Sequence, residues 1–303
     1  LGYRFAVYAQ DLLEDYKNLQ SLISNLRGKG LKGAVGTQAS YDELLNSSNM
    51  TAQEMEAIAM GELNLPMFRI ATQTYTRQQD LKVMQVLAGI AASLHKFALD
   101  FRVLQSPPFG EWAEPFGKKQ VGSSAMPFKR NPINTENICS LARYVAGLPA
   151  VAWDNASQAI LERSLDDSAN RRIFLAEGFM ATDELIKRGT RVVQEMVVDE
   201  TAVSRNMGIY GPFAATERVL MALVAAGGSR QDGHEWIREA SLQAWAVLRE
   251  GNSNPLVDLL VNDVRINQHL PADQIRNLMD ATAHTGTAES RAFEMAQVVR
   301  ESI

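Results

Sequence analysis

The residues best suited to chemistry stand together in one run, Gly122-Ser123-Ser124-Ala125-Met126-Pro127-Phe128-Lys129-Arg130-Asn131-Pro132. Two adjacent hydroxyls follow a glycine turn, two cations follow the hydroxyls, and Asn-Pro then opens a helix, where proline fits the first turn. Cations beside the free N–H groups of a helix N-terminus form an anion site. A hydroxyl held against fixed positive charge has its pKa lowered, so a serine here can act as a base. The same residues also suit a polar loop that caps a helix. Residue types alone leave both readings open.

The elements that would position this run are helical. Glycine and proline are scarce over long stretches, and strand-like alternation is nearly absent. From about Thr72 to Leu104 the apolar positions Val83, Leu87, Ile90, Leu94, Phe97, Phe101 and Leu104 recur at alternating spacings of four and three, a heptad seam. A rod of that length must bury its seam against other long helices, which predicts a bundle shared between subunits. A helix is predicted over Leu1 to about Leu26. The run from Gly28 to Thr37, with Gly30, Gly33 and Gly36, reads as a loop. A second loop is predicted from Ser106 to Lys129. A further long helix is predicted from Asn131-Pro132 to about Leu161, bent near Gly147 and Pro149. Asp166-Asp167-Ser168 reads as a helix start, with the helix running from about Ala169 to Val193. After about Val198 the predicted elements shorten, to Glu200–Met207, Pro212–Ala226 and Ser229–Glu250. The expectation is an all-α chain with a long-helix bundle over residues 1–198 and a small helical domain over 199–303.

Composition sets further bounds. Hydrophobic residues make up 46 % of the 303 residues, charged residues 21 %, and the formal net charge is −5. This composition argues against disorder and gives no electrostatic reason to expect nucleic-acid or membrane-surface binding. The apolar runs are too short to span a bilayer. The single cysteine, Cys139, cannot close an internal disulfide, so a reducing, cytoplasmic setting is expected and the thiol is read as core packing. The glycine loop lacks the Gly-Lys-Ser/Thr ending of a phosphate-binding P-loop, which excludes that reading.

The run from Gly122 to Pro132 resembles the Gly-Ser-Ser-x-Met-Pro-x-Lys-x-Asn-Pro signature of the fumarase/aspartase superfamily. Its wording from Ala125 to Pro132 is similar to that of the adenylosuccinate lyase family. Thr72-Gln73-Thr74-Tyr75-Thr76-Arg77, Glu162 to Arg172, and Gly227-Gly228-Ser229-Arg230-Gln231-Asp232 also resemble this family. The resemblance extends over essentially the whole chain.

That resemblance implies a β-elimination that releases fumarate and needs no metal or organic cofactor. A loop serine removes a proton from the succinyl β-carbon, and a histidine protonates the leaving nitrogen. Cations must sit where negative charge grows beside an existing carboxylate. Carried over by motif, Ser123 matches the base, with Ser124 the alternative. Lys129 and Asn131 match residues holding the succinyl carboxylates, and Glu136 matches a helix carboxylate near the loop. Gln73 matches a substrate-contacting glutamine. Arg163, Ser168 and Arg172 match residues that hold the nucleotide end. Arg171 and Arg172 project about 100° apart on a helix, so one of them is expected to be structural. The partners implied are a nucleotide substrate and further copies of the chain, as a homotetramer with shared active sites.

Two departures are visible. None of His95, His234, His269 and His284 stands in the Thr-His context of the family's general acid, which is expected just ahead of Leu1; the 303-residue chain alone is therefore expected to be inactive. Asn137 occupies a position where the animal-type branch carries arginine. The rival readings are another lyase or a carboxymuconate-type cycloisomerase on the same scaffold, and a non-catalytic helical fragment.

Overall fold

The computed structural model describes residues 1–115, 130–161 and 163–303. Among these, twelve α-helices and two two-residue strands form two compact units. The larger unit comprises residues 4–102, 114–196 and 295–303; the smaller comprises residues 1–3, 103–113 and 197–294.

Three long helices carry the core of the larger unit: α4 (Gln78–Gln105), α5 (Ile133–Ser157) and α6 (Asp167–Glu195). Leu81, Met84, Leu87, Ile90, Ala91 and Leu94 of α4 meet Ile138, Cys139, Ala142, Val145 and Leu148 of α5, and Phe174 and Leu185 of α6. The heptad seam is therefore the buried face: of its seven positions only Val83 is not fully buried. Close approach of the helices relies on Gly178. A Cβ there would stand 3.1 Å from the Met84 sulfur and 3.2 Å from Leu148. Ahead of α4, α1 (Gly2–Asn25) lies against it through Tyr8, whose hydroxyl donates to Asp100 at 2.7 Å and whose ring meets Phe97 edge-on at 5.4 Å. Two short helices, α2 (Ala39–Leu45) and α3 (Ala52–Glu62), follow the glycine loop, and a Thr51/Glu54 capping box starts α3.

In the smaller unit, α7 (Glu200–Ala225), α8 (Arg230–Arg249), α9 (Leu256–Val261), α10 (Val264–Asn267) and α11 (Ala272–Leu278) close around Val219, Leu223, Leu256, Leu260, Ile266 and Ile275. The strands β1 (Trp112–Ala113) and β2 (Val197–Val198) pair antiparallel beside them. A final helix, α12 (Ala288–Ser302), has no buried residue.

Several element boundaries differ from the sequence expectation. Residues 72–77 are not helical; α4 begins at Gln78. The segments expected as Glu200–Met207 and Pro212–Ala226 are one helix, with Pro212 inside it. Likewise α5 runs through Gly147 and Pro149 without a break, but ends at Ser157 rather than Leu161, which sits at φ 46°. In both helices burial of a continuous apolar face outweighs the one hydrogen bond that proline removes. At the start of α6, Asp166 makes no side-chain cap bond, because the carboxylate that matters there, Asp167, turns into the bundle instead.

Candidate active site

The described residues expected to do chemistry fall toward the two ends of α5. Ser123, Ser124 and Lys129 lie outside the described residues. Asn131 is half-buried and Glu136 exposed, both at the N-terminal end of α5. Of the expected anion site, the helix N–H part needs correcting. The N–H groups of Asn134 and Thr135 are not open to a ligand, because the buried Glu114 carboxylate already accepts from them at 3.0 and 2.7 Å. Asn137 Oδ1, one turn on, is buried without a hydrogen-bond partner among the described residues.

The opposite end of α5 borders a cleft of about 250 Å3. Its walls come from residues of the 70–77 stretch, the last turn of α5 with Asn155, and Leu161, Arg163, Ser164, Asp166 and Asp167 ahead of and at the start of α6. The lining is mixed: Thr72, Thr74, Thr76, Asn155, Arg163, Ser164 and Asp167 supply polar groups, and Ile70, Ala71, Ala159 and Leu161 apolar ones. Gly36, at φ +88°, lets the glycine loop press onto this wall, since a Cβ there would stand 2.0 Å from the Ala71 carbonyl.

One buried and one part-buried ion pair frame the cleft. Arg77 donates to Asp167 Oδ2 at 2.5 Å, both side chains being under a tenth exposed. Arg171 donates to Asp80 Oδ2 at 2.5 Å and to the Tyr75 hydroxyl at 2.6 Å; that hydroxyl donates in turn to Asp80 Oδ1 at 2.7 Å. The Tyr75 ring is near both guanidinium groups, its centroid 5.1 Å from Arg77 and 5.7 Å from Arg171. Burial first, then the bond to Asp80, pushes the Tyr75 phenol above its ordinary pKa, so it stays protonated and serves as a strut. Asn155 and Asn170 exchange amide hydrogen bonds at 2.7 and 3.0 Å and tie α5 to α6.

Of the two arginines that line the cleft among the described residues, Arg163 is held the more loosely. Its guanidinium stands 3.9 Å from Asp167 Oδ1, which itself accepts no hydrogen bond among the described residues. Ser168 is half-buried in the first turn of α6, while Arg172 is exposed, pointing away from the inward Arg171. Thr72 N–H donates to the Thr74 carbonyl at 3.1 Å, which leaves Gln73 exposed at the apex of a turn beside the cleft rather than in its lining. No histidine is among the lining residues.

The structure thus brings Arg163 to the cleft, with Ser168 and Gln73 at its margin. It does not bring Asn131 and Glu136 there: at about 1.5 Å per residue, the stretch of α5 from Glu136 to its last turn separates them by roughly 30 Å. Sequence inspection passed over Arg77, Asp80 and Asn155. A signal was present, because Asp80 continues the series Leu87, Leu94, Phe101 seven residues further back, which places a carboxylate on a buried seam.

Bundles of this kind recur in solved structures. The chain matches 3-carboxy-cis,cis-muconate lactonizing enzyme from Pseudomonas putida with a TM-score of 0.82 at 21 % identity, covering 99 % of this chain and 64 % of that one. The fold is that of the helical lyases, and a lyase family model matches residues 1–147. A second family model, the adenylosuccinate lyase C-terminus, matches residues 212–292. Curated adenylosuccinate lyases are similar across most of the chain: that of Schistosoma mansoni is 39 % identical over 87 % of this chain, and that of Saccharomyces cerevisiae 38 % identical over 98 %. The chain belongs to the adenylosuccinate lyase family. It spans 55 % and 61 % of the length of those two relatives. Among the described residues no helix is long and apolar enough to cross a membrane, and no cluster of three metal-ligating side chains occurs.

Proposed function

We propose that the full-length protein cleaves adenylosuccinate to AMP and fumarate, and acts likewise on the succinylcarboxamide ribotide of purine synthesis, as a cytoplasmic homotetramer. The observation that carries this reading is the adenylosuccinate lyase C-terminal match over residues 212–292, joined to relatives of that name at 33–39 % identity over most of the chain. The cycloisomerase alternative shares the fold at 21 % identity only.

In the proposed reaction Ser123 removes the succinyl β-proton. Lys129 and Asn131 hold the carboxylates where charge accumulates, and Glu136 helps orient that end. Arg163, Ser168 and Arg172 hold the nucleotide, with Gln73 contacting the substrate. A histidine from elsewhere in the full-length protein protonates the leaving nitrogen, and no cofactor takes part. Shared sites are supported by geometry. Asn131 and Glu136 lie roughly 30 Å along α5 from the end that Arg163 borders, so one chain cannot present both ends to a single substrate, whereas antiparallel copies can.

The test is turnover. Purified full-length protein is given adenylosuccinate, and loss of its absorbance is followed alongside AMP by chromatography. Formation of AMP and fumarate in equal amounts is expected; no AMP at micromolar enzyme overturns the reading.

A further inference from the structure

One buried carboxylate has no part in the scheme above. Glu114 follows β1, and its side chain is 7 % exposed. Its Oε2 accepts from the Asn134 N–H at 3.0 Å and the Asn134 side-chain amide at 2.9 Å. Its Oε1 accepts from the Thr135 N–H at 2.7 Å and the Thr135 hydroxyl at 2.8 Å. Thr135 is fully buried. Two of the N–H groups that a helix start leaves unpaired are thereby satisfied by a charged acceptor, which also meets the positive end of the α5 dipole.

The bonds reach beyond capping. The turn they grip contains Asn131 and Glu136. Asn131 O accepts from the Ile133 N–H at 2.9 Å, and Pro132 O accepts from the Glu136 N–H at 2.9 Å and the Thr135 hydroxyl at 3.2 Å. Asn134 is held from its other side by Arg188 of α6 at 3.2 Å. Residues 131–136 are thus held as one turn by Glu114 and by Arg188 of α6. A carboxylate that engages the Asn134 and Thr135 N–H groups also denies these two donors to a substrate carboxylate.

We propose that Glu114 is a positioning residue for the lyase reaction, setting through Asn134 and Thr135 where Asn131 and Glu136 stand against the succinyl group. The proposal rests on the function proposed above. A misplacement near 1 Å at a reacting centre can lower a rate by about a hundredfold. The effect should therefore fall on kcat more than on KM.

The experiment compares full-length wild-type protein with Glu114→Gln and Asn134→Ala on adenylosuccinate, at a temperature where circular dichroism shows each folded. Glutamine keeps size but turns an N–H2 toward one donor pair. Asn134→Ala leaves the carboxylate and both backbone bonds in place and so covers the case in which Glu114→Gln does not fold. The expected result is a fall in kcat of about tenfold or more for Glu114→Gln and about threefold for Asn134→Ala, with KM within about threefold of wild type. Lowered melting temperature with kcat within twofold of wild type overturns the proposal, since Glu114 is then a helix cap only. A rise in KM alone overturns it as well. Absence of turnover in the wild type rejects the proposed function itself, a result separable from unaltered variants of an active enzyme.

Discussion

Arg77 and Asp167 show how single residues shape the cleft. Neither touches bulk solvent appreciably, and the two pair directly. Removing one partner of a buried pair leaves an uncompensated charge and costs about 3–5 kcal/mol. Arg77→Met should therefore lower stability by that amount in chemical denaturation, and adding Asp167→Asn should recover more than half of it. Additive losses would show that the pair is not coupled. Asp263 makes a different prediction. The Arg265 guanidinium, against some burial and with help from backbone N–H groups, holds its carboxyl below the usual carboxylate range. The sign follows from linkage: a depressed folded-state pKa contributes stability above the unfolded value of about 3.9, and that contribution is lost as pH falls below it. Asp263→Ala should cost about 0.5–2 kcal/mol at pH 7, as loss of a helix cap does. The gap in melting temperature to wild type should close as the pH is lowered below about 4; a gap independent of pH would contradict the assignment.

At the scale of elements, α4, α5 and α6 act as one packed unit, and Gly178 sets how closely α6 meets α4 and α5. Gly178→Val would drive its side chain onto Met84 and Leu148, an overpacking worth about 1–3 kcal/mol. Met84→Ala in the same chain should return part of that loss, while equal denaturation midpoints for the single and double variants would rule out the contact. The heptad seam was legible because its residues repeat on one helix face. Asp80 belongs to the same repeat but reads as polar surface until its partner is known. That partner, Arg171, stands far along the chain, and no local pattern links the two. Pro149 and Pro212 illustrate the converse limit. Each signals a helix break locally, yet the buried faces of α5 and α7 carry the helices through.

For the whole molecule the separation along α5 is decisive. If the active site is shared between copies, two inactive variants damaged at opposite ends, Asn131→Ala and Arg163→Ala, should restore activity when unfolded together and reassembled. Random mixing gives about a quarter of sites with both ends intact in a symmetric assembly that pairs one end from each copy. Activity of the mixture no greater than that of the separate variants would place each site within a single chain.

The sequence alone determined the all-α class, the buried face of α4 and the lyase resemblance, because these rest on periodicity and on runs of neighbouring residues. The tertiary structure decided how tightly each cation is held. Arg171 and Arg77 are bonded tightly to buried carboxylates, Arg163 lines the cleft at 3.9 Å from Asp167, and the Asn134 and Thr135 N–H groups of the α5 N-terminus are taken by Glu114. Those outcomes depend on pairs of residues distant in the chain, whose charges must be neutralised wherever folding removes them from water.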